Sequence, residues 1–179
     1  MPGVFPDYMA PVVRNNGIRE LAMLRWGMPG PPQFGGAPIT NIRNVKSARL
    51  RGWLKPEDRC VVPFTSFSEF NKTAGGNIWF AFDHSRPLAF FAGIWTNWTC
   101  VRKVKEGETT NDLFGFLTTE SNNVVGAIHP KAMPVILRKP EEIKTWMTAP
   151  ADDALKLQRP LDGDVLEIVA RGERKDERA

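Results

Sequence analysis

Three polar side chains stand at the edges of apolar, strand-like runs far apart in this chain. Asn41 lies in Thr40-Asn41-Ile42-Arg43, Glu69 in Ser66-Phe67-Ser68-Glu69-Phe70, and His129 just ahead of Pro130-Lys131-Ala132-Met133-Pro134-Val135-Ile136-Leu137. A rigid sheet that brings an amide, a carboxylate and an imidazole into one hollow supplies the parts of a proton-handling pocket. Glu69 has Val61, Val62, Phe64, Phe67 and Phe70 as apolar neighbours, and desolvation by such neighbours raises a carboxylate's pKa toward neutrality. Strand alternation alone favours the competing reading, an outward-facing Glu69 on a half-exposed strand. His129 precedes a proline, which biases it to extended backbone at a loop or strand end, and histidine titrates where a proton shuttle works. A surface or satisfied core histidine is the alternative. Asn41 could orient a substrate or stabilise developing negative charge, yet the residues alone favour an Asx-turn with its own backbone. No serine or cysteine stands in a recognisable nucleophile setting.

Arg25, Arg43, Lys46, Arg49 and Arg51 form a basic cluster around Asn41, suited to phosphates or else a solvated helix face. Trp26 could stack on a base or pack in the core. The net charge of +4 makes the chain mildly basic, a weak pointer to nucleic acid by itself. The 179 residues, 42% of them hydrophobic, suffice for one good core and not two. Cys60 and Cys100 cannot build a disulfide framework, and no signal peptide or apolar run of membrane length is present, so a cytosolic protein with no membrane partner is expected. Without a Cys-x-x-Cys, and with His84 in a turn-like Asp-His-Ser-Arg-Pro, neither a metal site nor a cofactor is expected.

The elements that must position these groups are mostly short strands. Met9 to Arg14 and Ile18 to Trp26 read as a hairpin around Asn15-Asn16-Gly17, followed by a Pro- and Gly-rich loop, Gly27 to Pro38, long enough to suggest a functional surface segment. Ser47 to Leu54 carries Leu50, Trp53 and Leu54 at helical spacing after a cap at Asn44 or Ser47. Strand-like runs follow at Cys60 to Phe70, Ile78 to Phe82, Leu88 to Trp95 and Leu113 to Thr118, with Gly75-Gly76 marking a hairpin. Glu120 to Val125 reads as a short helix delivering His129, Met133 to Leu137 as a strand, and Pro140 to about Ala149 as a helix with proline and acids in its first turn. Asp152 to Leu157 adds a helical turn and Val165 to Ala170 a last strand. The sum is a mostly antiparallel α+β domain over residues 1–170, with a charged C-terminal tail over 171–179.

Together, Arg25-Trp26-Gly27-Met28-Pro29, Asn41-Ile42-Arg43, Arg59-Cys60-Val61-Val62-Pro63 with Phe67-Ser68-Glu69-Phe70, Leu88 to Trp95, Phe116 to Glu120, and Ile128-His129 with Met133 to Leu137 closely resemble the SOS response-associated peptidase (SRAP) family. Order and spacing hold from about Tyr8 to Trp146. The resemblance implies a single compact α+β domain of strongly bent sheets forming a barrel-like core, with a basic groove for single-stranded DNA containing abasic sites. It also implies covalent capture of the ring-opened sugar as a thiazolidine on an N-terminal cysteine, and a cytoplasmic, nucleoid-associated location. By the same resemblance, Asn41, Glu69 and His129 are catalytic. Asn41 would position the nucleophile or sugar, Glu69 would handle protons during imine formation, and His129 would act as acid and base. Arg43 would hold the phosphate beside the lesion, with Trp26, Arg25 and Lys46 along the DNA path.

The family's N-terminal Met-Cys has no counterpart in Met1-Pro2-Gly3. A late-assigned start or a shortened chain is the expected reason, and loss of the first strand would expose a sheet edge. If Met1 is the start, the chain is a DNA binder without covalent chemistry, is inactive, or uses the secondary amine of Pro2 as the nucleophile. A conventional peptidase using His129 and Glu69, as the family's name suggests, is the remaining alternative.

Overall fold

The structure, a computed structural model, describes residues 3–31, 36–73, 75–163 and 165–172. Strands β1 (Met9–Asn16) and β2 (Ile18–Trp26) form the expected hairpin, with Asn16 facing Ile18 and Gly17 at φ +74° making the reversal, a conformation that costs glycine nothing. Asn41–Ile42 forms a two-residue β3, Arg59–Phe64 forms β4, Phe67–Asn71 β5 and Gly76–Ala81 β6. Ala89–Val101 and Glu108–Thr119 form the long β7 and β8. Strand β1 pairs with β2 and β4, β4 with β7, β7 with β8, and β8 runs parallel to β2 at Arg25↔Leu113 and Trp26↔Phe114. That last pairing closes a barrel of five strands.

The closing seam is short, and an ion cluster inside the barrel extends it. Arg14, 9% exposed, reaches from β1 to Glu20 on β2 (2.8 Å) and to Asp112 on β8 (2.6 Å), with its guanidinium 4.2 Å from the Trp95 ring. Close approach matters too. A Cβ on Gly93 would lie 2.9 Å from the Cys60 sulfur and 3.1 Å from the Gly115 carbonyl, so β4, β7 and β8 meet there only because position 93 has no side chain.

The run Cys60 to Phe70, expected as one strand, is two strands in different sheets. Phe64 and Phe67 are both buried, at 8% and 7% exposure, and a spacing of three cannot put both on one face of a pleated strand. The chain therefore bends at Thr65-Ser66, and β5 leaves the barrel to pair with β6 across the Gly75 turn. A last strand, Glu167–Arg171, joins β6 through a register shift between Ile168 and Ala170 and completes a three-stranded sheet. The run Met133 to Leu137 also divides. Met133–Pro134 pairs with β8, Ile136–Leu137 pairs with β7, and Val135 bonds both neighbours through Leu117 O and Ala92 N, so this segment staples the two strands where they diverge.

Strands β7 and β8 extend beyond the apolar runs into a polar two-stranded ribbon, Asn97↔Asp112 to Val101↔Glu108, braced by a 2.7 Å Thr99–Thr110 hydroxyl hydrogen bond. The helices are short. The helix expected from Ser47 to Leu54 is a single turn, α1 (Ala48–Arg51), capped by Ser47 and followed by Gly52. Asn123–Gly126 forms α2, Pro140–Thr148 α3 and Ala151–Ala154 α4. Among the described residues no helix is long and apolar enough to cross a membrane.

Helix α3 covers the outer barrel wall with a fully buried Trp146, whose indole N–H donates to Cys60 O and Gly93 O. Beside it lies Arg59, 0% exposed. Its Nε and Nη2 donate to Leu54 O, and Nη1 donates to Trp146 O and Ala149 O, all at 2.7–2.9 Å. Replacing Arg59 with Met is expected to lower stability by about 4 kcal/mol, since three buried carbonyls at ~1–3 kcal/mol each lose their donor. Urea unfolding measures this, and a loss below about 1 kcal/mol would refute the clamp.

Candidate functional site

Along β5, side chains alternate, so Phe67, Glu69 and Asn71 share one face while Ser68 and Phe70 take the other. Glu69 pairs with Ile78 and Phe67 with Phe80, core residues at 3% and 0% exposure. Glu69 thus belongs to the inward row, and Phe70, 56% exposed, is the outward one. The Glu69 side chain keeps 24% exposure, and burial pushes its pKa up to about 7.

His129 arrives from the other side. Asn122 caps α2 by accepting from Val125 N, and Val125 is fully buried in the same core as Phe67 and Phe80. The His129 N–H donates to Val125 O, and Ser121 Oγ donates to His129 O at 2.7 Å. Held by its backbone at both ends, the imidazole presents Nδ1 3.7 Å from Glu69 Oε2, with a third of the ring side chain exposed. That gap is beyond a direct hydrogen bond and within reach of one after a small side-chain adjustment or through one water.

Asn41 and Arg43 are placed by β3, which runs parallel to β8 at Asn41↔Phe116 and Ile42↔Leu117. Asn41 is exposed and Ile42 is buried. An aromatic floor links this strand to β5. The Phe116 ring lies 5.2 Å from Trp26 and 5.0 Å from Phe91, and Phe91 lies 5.8 Å from Phe67, two residues before Glu69. Arg43, with 48% of its side chain exposed, bonds Glu120 at 3.1 Å and reaches Lys131 O at 3.5 Å. The contact joins the residue two beyond Asn41 to the residue two beyond His129. The Asx-turn weighed for Asn41 occurs at Asn44 instead, where Oδ1 accepts from the N–H of exposed Lys46.

Trp26 packs in the core on Phe114 and Phe116, and its indole N–H donates to Thr40 O at 3.0 Å, fixing the residue before Asn41. Arg25 is engaged elsewhere. Its guanidinium, 13% exposed, bonds Asp7 and Glu106. Asp7 also accepts from Arg102 and Lys103; burial alone would raise its pKa, but the hydrogen bonds from Arg25, Lys103 and Arg102 outweigh that and hold it well below the usual carboxylate range. Cys60 is fully buried, with its thiol pKa pushed up by that burial, and Cys100 lies on the polar ribbon. Pro2 lies outside the described residues. Sequence reasoning missed Phe70 as an exposed aromatic on the outward face of β5, although strict alternation from buried Phe67 signals it; Ser121, which fixes His129 through a carbonyl, had no local signal.

The raised pKa of Glu69 fixes a pH signature. Between its ordinary 4.5 and about 7, the folded protein keeps a proton that the unfolded chain has released, so this group's contribution to stability falls as pH rises through that window. Glu69→Gln should therefore stabilise the protein at pH 8 by at most ~3 kcal/mol and give no gain below about pH 4. Thermal melts of both forms at the two pH values check the sign, and a variant destabilised at pH 8 would show that Glu69 is not desolvated.

The family model "SOS response associated peptidase (SRAP)" matches residues 3–171. The fold is similar to a crystal structure of a Bacteroides thetaiotaomicron protein, with TM-score 0.70 and 20% identity over 90% of this chain and 72% of that one. It is also similar to a Bordetella bronchiseptica protein, with TM-score 0.69 and 25% identity over 92% of this chain and 84% of that one. No curated protein matches. With the family's model spanning nearly the whole described chain, this protein belongs to the SOS response-associated peptidase (SRAP) family.

Proposed function

We propose that this protein recognises abasic sites in single-stranded DNA, with Asn41, Glu69 and His129 as the reactive pocket and Arg43 as its phosphate contact. The observation that carries the reading is the pairing of Glu69, raised to about 7, with His129 Nδ1 3.7 Å away, and a half-exposed Arg43 that reaches the Lys131 carbonyl two residues beyond His129. An abasic deoxyribose is mostly a closed hemiacetal. Opening it requires a proton to leave the anomeric hydroxyl while another reaches the ring oxygen, and a carboxyl raised to about 7 facing an imidazole suits that exchange. Phe70, exposed on the outward face of β5 one residue beyond Glu69, offers a stacking surface for a base flanking the gap. Lys46, exposed beyond Arg43, extends the cationic track for the backbone.

Thiazolidine capture needs an amine and a thiol on one residue. Cys60 in the barrel wall and Cys100 on the ribbon are internal and cannot supply it, so covalent trapping is proposed only for a form of the protein bearing an N-terminal cysteine. The placement of both thiols favours, for the described chain, noncovalent recognition. A peptidase reading has less support, because Ser121 donates to the His129 carbonyl and not to the imidazole.

Fluorescence anisotropy with strands that contain or lack an abasic site tests the reading. Arg43→Ala should weaken binding for every sequence and reduce the magnitude of the salt slope by about 0.7, the value for one phosphate on a single strand. Glu69→Gln and His129→Ala should spare affinity and slow capture of the opened aldehyde by a hydroxylamine probe. Equal affinity for intact and abasic strands, with Arg43→Ala neutral, would sink the proposal.

A further inference from the structure

From Ala37 to Lys55 the chain contains five cationic side chains and no acidic one. This stretch leaves the pocket at Asn41, passes exposed Arg43 and Lys46, and enters α1, whose last turn carries Arg49 and Arg51. Trp53 follows, and its ring meets Trp98 edge-on with centroids 6.0 Å apart. Trp98 sits on the polar ribbon of β7 and is 40% exposed. Arg49 stands 5.8 Å over the Trp53 ring while donating to Gly30 O, and Arg51 is exposed to solvent.

Packing α1 against the ribbon accounts for Trp53. It does not require a second indole two-fifths open beside a stretch free of acids. Exposed indoles next to guanidinium groups are what a base-stacking surface needs, because every base has a π-face and the adjoining charge holds the phosphates. We propose that Trp53 and Trp98, with Arg51, form a stacking platform for bases of a single-stranded nucleic acid whose backbone runs from the Glu69–His129 pocket past Arg43 and Lys46. The inference rests on the proposed function and adds a second contact region to it.

The odd spacing of Phe91 and Trp98 on β7 puts their side chains on opposite faces of that strand, so a nucleic-acid strand that meets both regions follows the surface of Asn41 to Arg51 round the barrel wall. Trp98 is seven residues along β7 from Phe91, whose ring borders Phe67 below the pocket, or about 23 Å at ~3.3 Å per residue. At ~3.4 Å per nucleotide along one strand that length is about 7 nucleotides, inside the ~4–16 covered by known single-strand grooves. The platform should tolerate any base sequence, since stacking reads no hydrogen-bond pattern.

The test uses two oligonucleotides carrying a central tetrahydrofuran abasic analogue, one with short flanks of about 2 nucleotides and one extended to the upper end of the groove range. In anisotropy titrations at fixed salt, the wild type should bind the extended strand more tightly. Trp98→Ala and Arg51→Glu should each cost about tenfold on the extended strand and leave the short one unchanged, with far-UV circular dichroism confirming that both variants fold. Retention of the full extension gain in both variants overturns the platform. So does inorganic polyphosphate competing equally against wild type and Trp98→Ala, which marks a merely electrostatic surface. If the variants lose the extension gain while the analogue confers no advantage over an intact strand, the platform stands and the abasic-site reading falls. Absence of binding to either strand overturns both.

Discussion

A single guanidinium without a carboxylate partner anchors the outer layer of this protein to its barrel. Arg59 is taken wholly out of water, and its charge is met by carbonyls at the end of the α1 segment and at the end of α3. Burial lowers its pKa from the ordinary value, yet helix C-terminal carbonyls carry the partial negative charge that keeps a cation acceptable there. A planar fork of donors can bind carbonyls from two directions at once, whereas an ammonium is a single point. The consequence extends to the pocket. Chain segments beyond the α3 end lead to Gln158, whose amide donates to Arg43 O and Thr118 O, so the helical layer steadies the backbone that presents Arg43.

The two most perturbed carboxylates show how one fold assigns opposite roles to one functional group. Asp7 is ringed by Arg25, Arg102 and Lys103 and stays ionised. It binds the N-terminal segment to the end of β2 and the turn of the ribbon, and its positive φ of 72° is tolerated because three cations hold it. Glu69 is shifted by burial, with no Lys or Arg bonded to it among the described residues, so its pKa is pushed up to about 7. Groups whose surroundings drive their pKa values apart mark where structure ends and chemistry begins.

Much of this was legible in the residues. The β1–β2 hairpin, the Gly75 turn, the α3 start and the α2 delivery of His129 follow from local patterns, since turn glycines, capping side chains and first-turn acids act within a few residues. The divisions at Thr65-Ser66 and Val135 were missed because apolar runs look continuous. Only the requirement that Phe64 and Phe67 both face inward reveals the first, and only the divergence of β7 and β8 reveals the second. The polar ribbon escaped notice for the opposite reason: its threonines and asparagines pair across strands, and Trp98 and Val101, three residues apart, make no continuous apolar face. Glu69 was open between inward and outward readings until cross-strand pairing with Ile78 decided it. The favoured Asx-turn at Asn41 moved three residues because Asn41 is held extended against Phe116.

The parallel seam that closes the barrel also sets where Asn41 stands. Strand β8 offers its edge to β2 at Leu113 and Phe114, then to β3 at Phe116 and Leu117. Between them Gly115 leaves room for Ile42 and Met28, whose atoms would lie 3.0 and 3.1 Å from a Cβ at that position. The Pro- and Gly-rich excursion between β2 and β3 is tied at its base by paired hydrogen bonds between Met28 and Ile39. Beyond the base, Gly30 is buried against Ala37, where a Cβ would lie 1.9 Å from the Ala37 carbonyl, and its own carbonyl accepts from Arg49 at 3.2 Å, so the start of the excursion is tied to α1 while the Trp26 indole separately fixes the residue before Asn41.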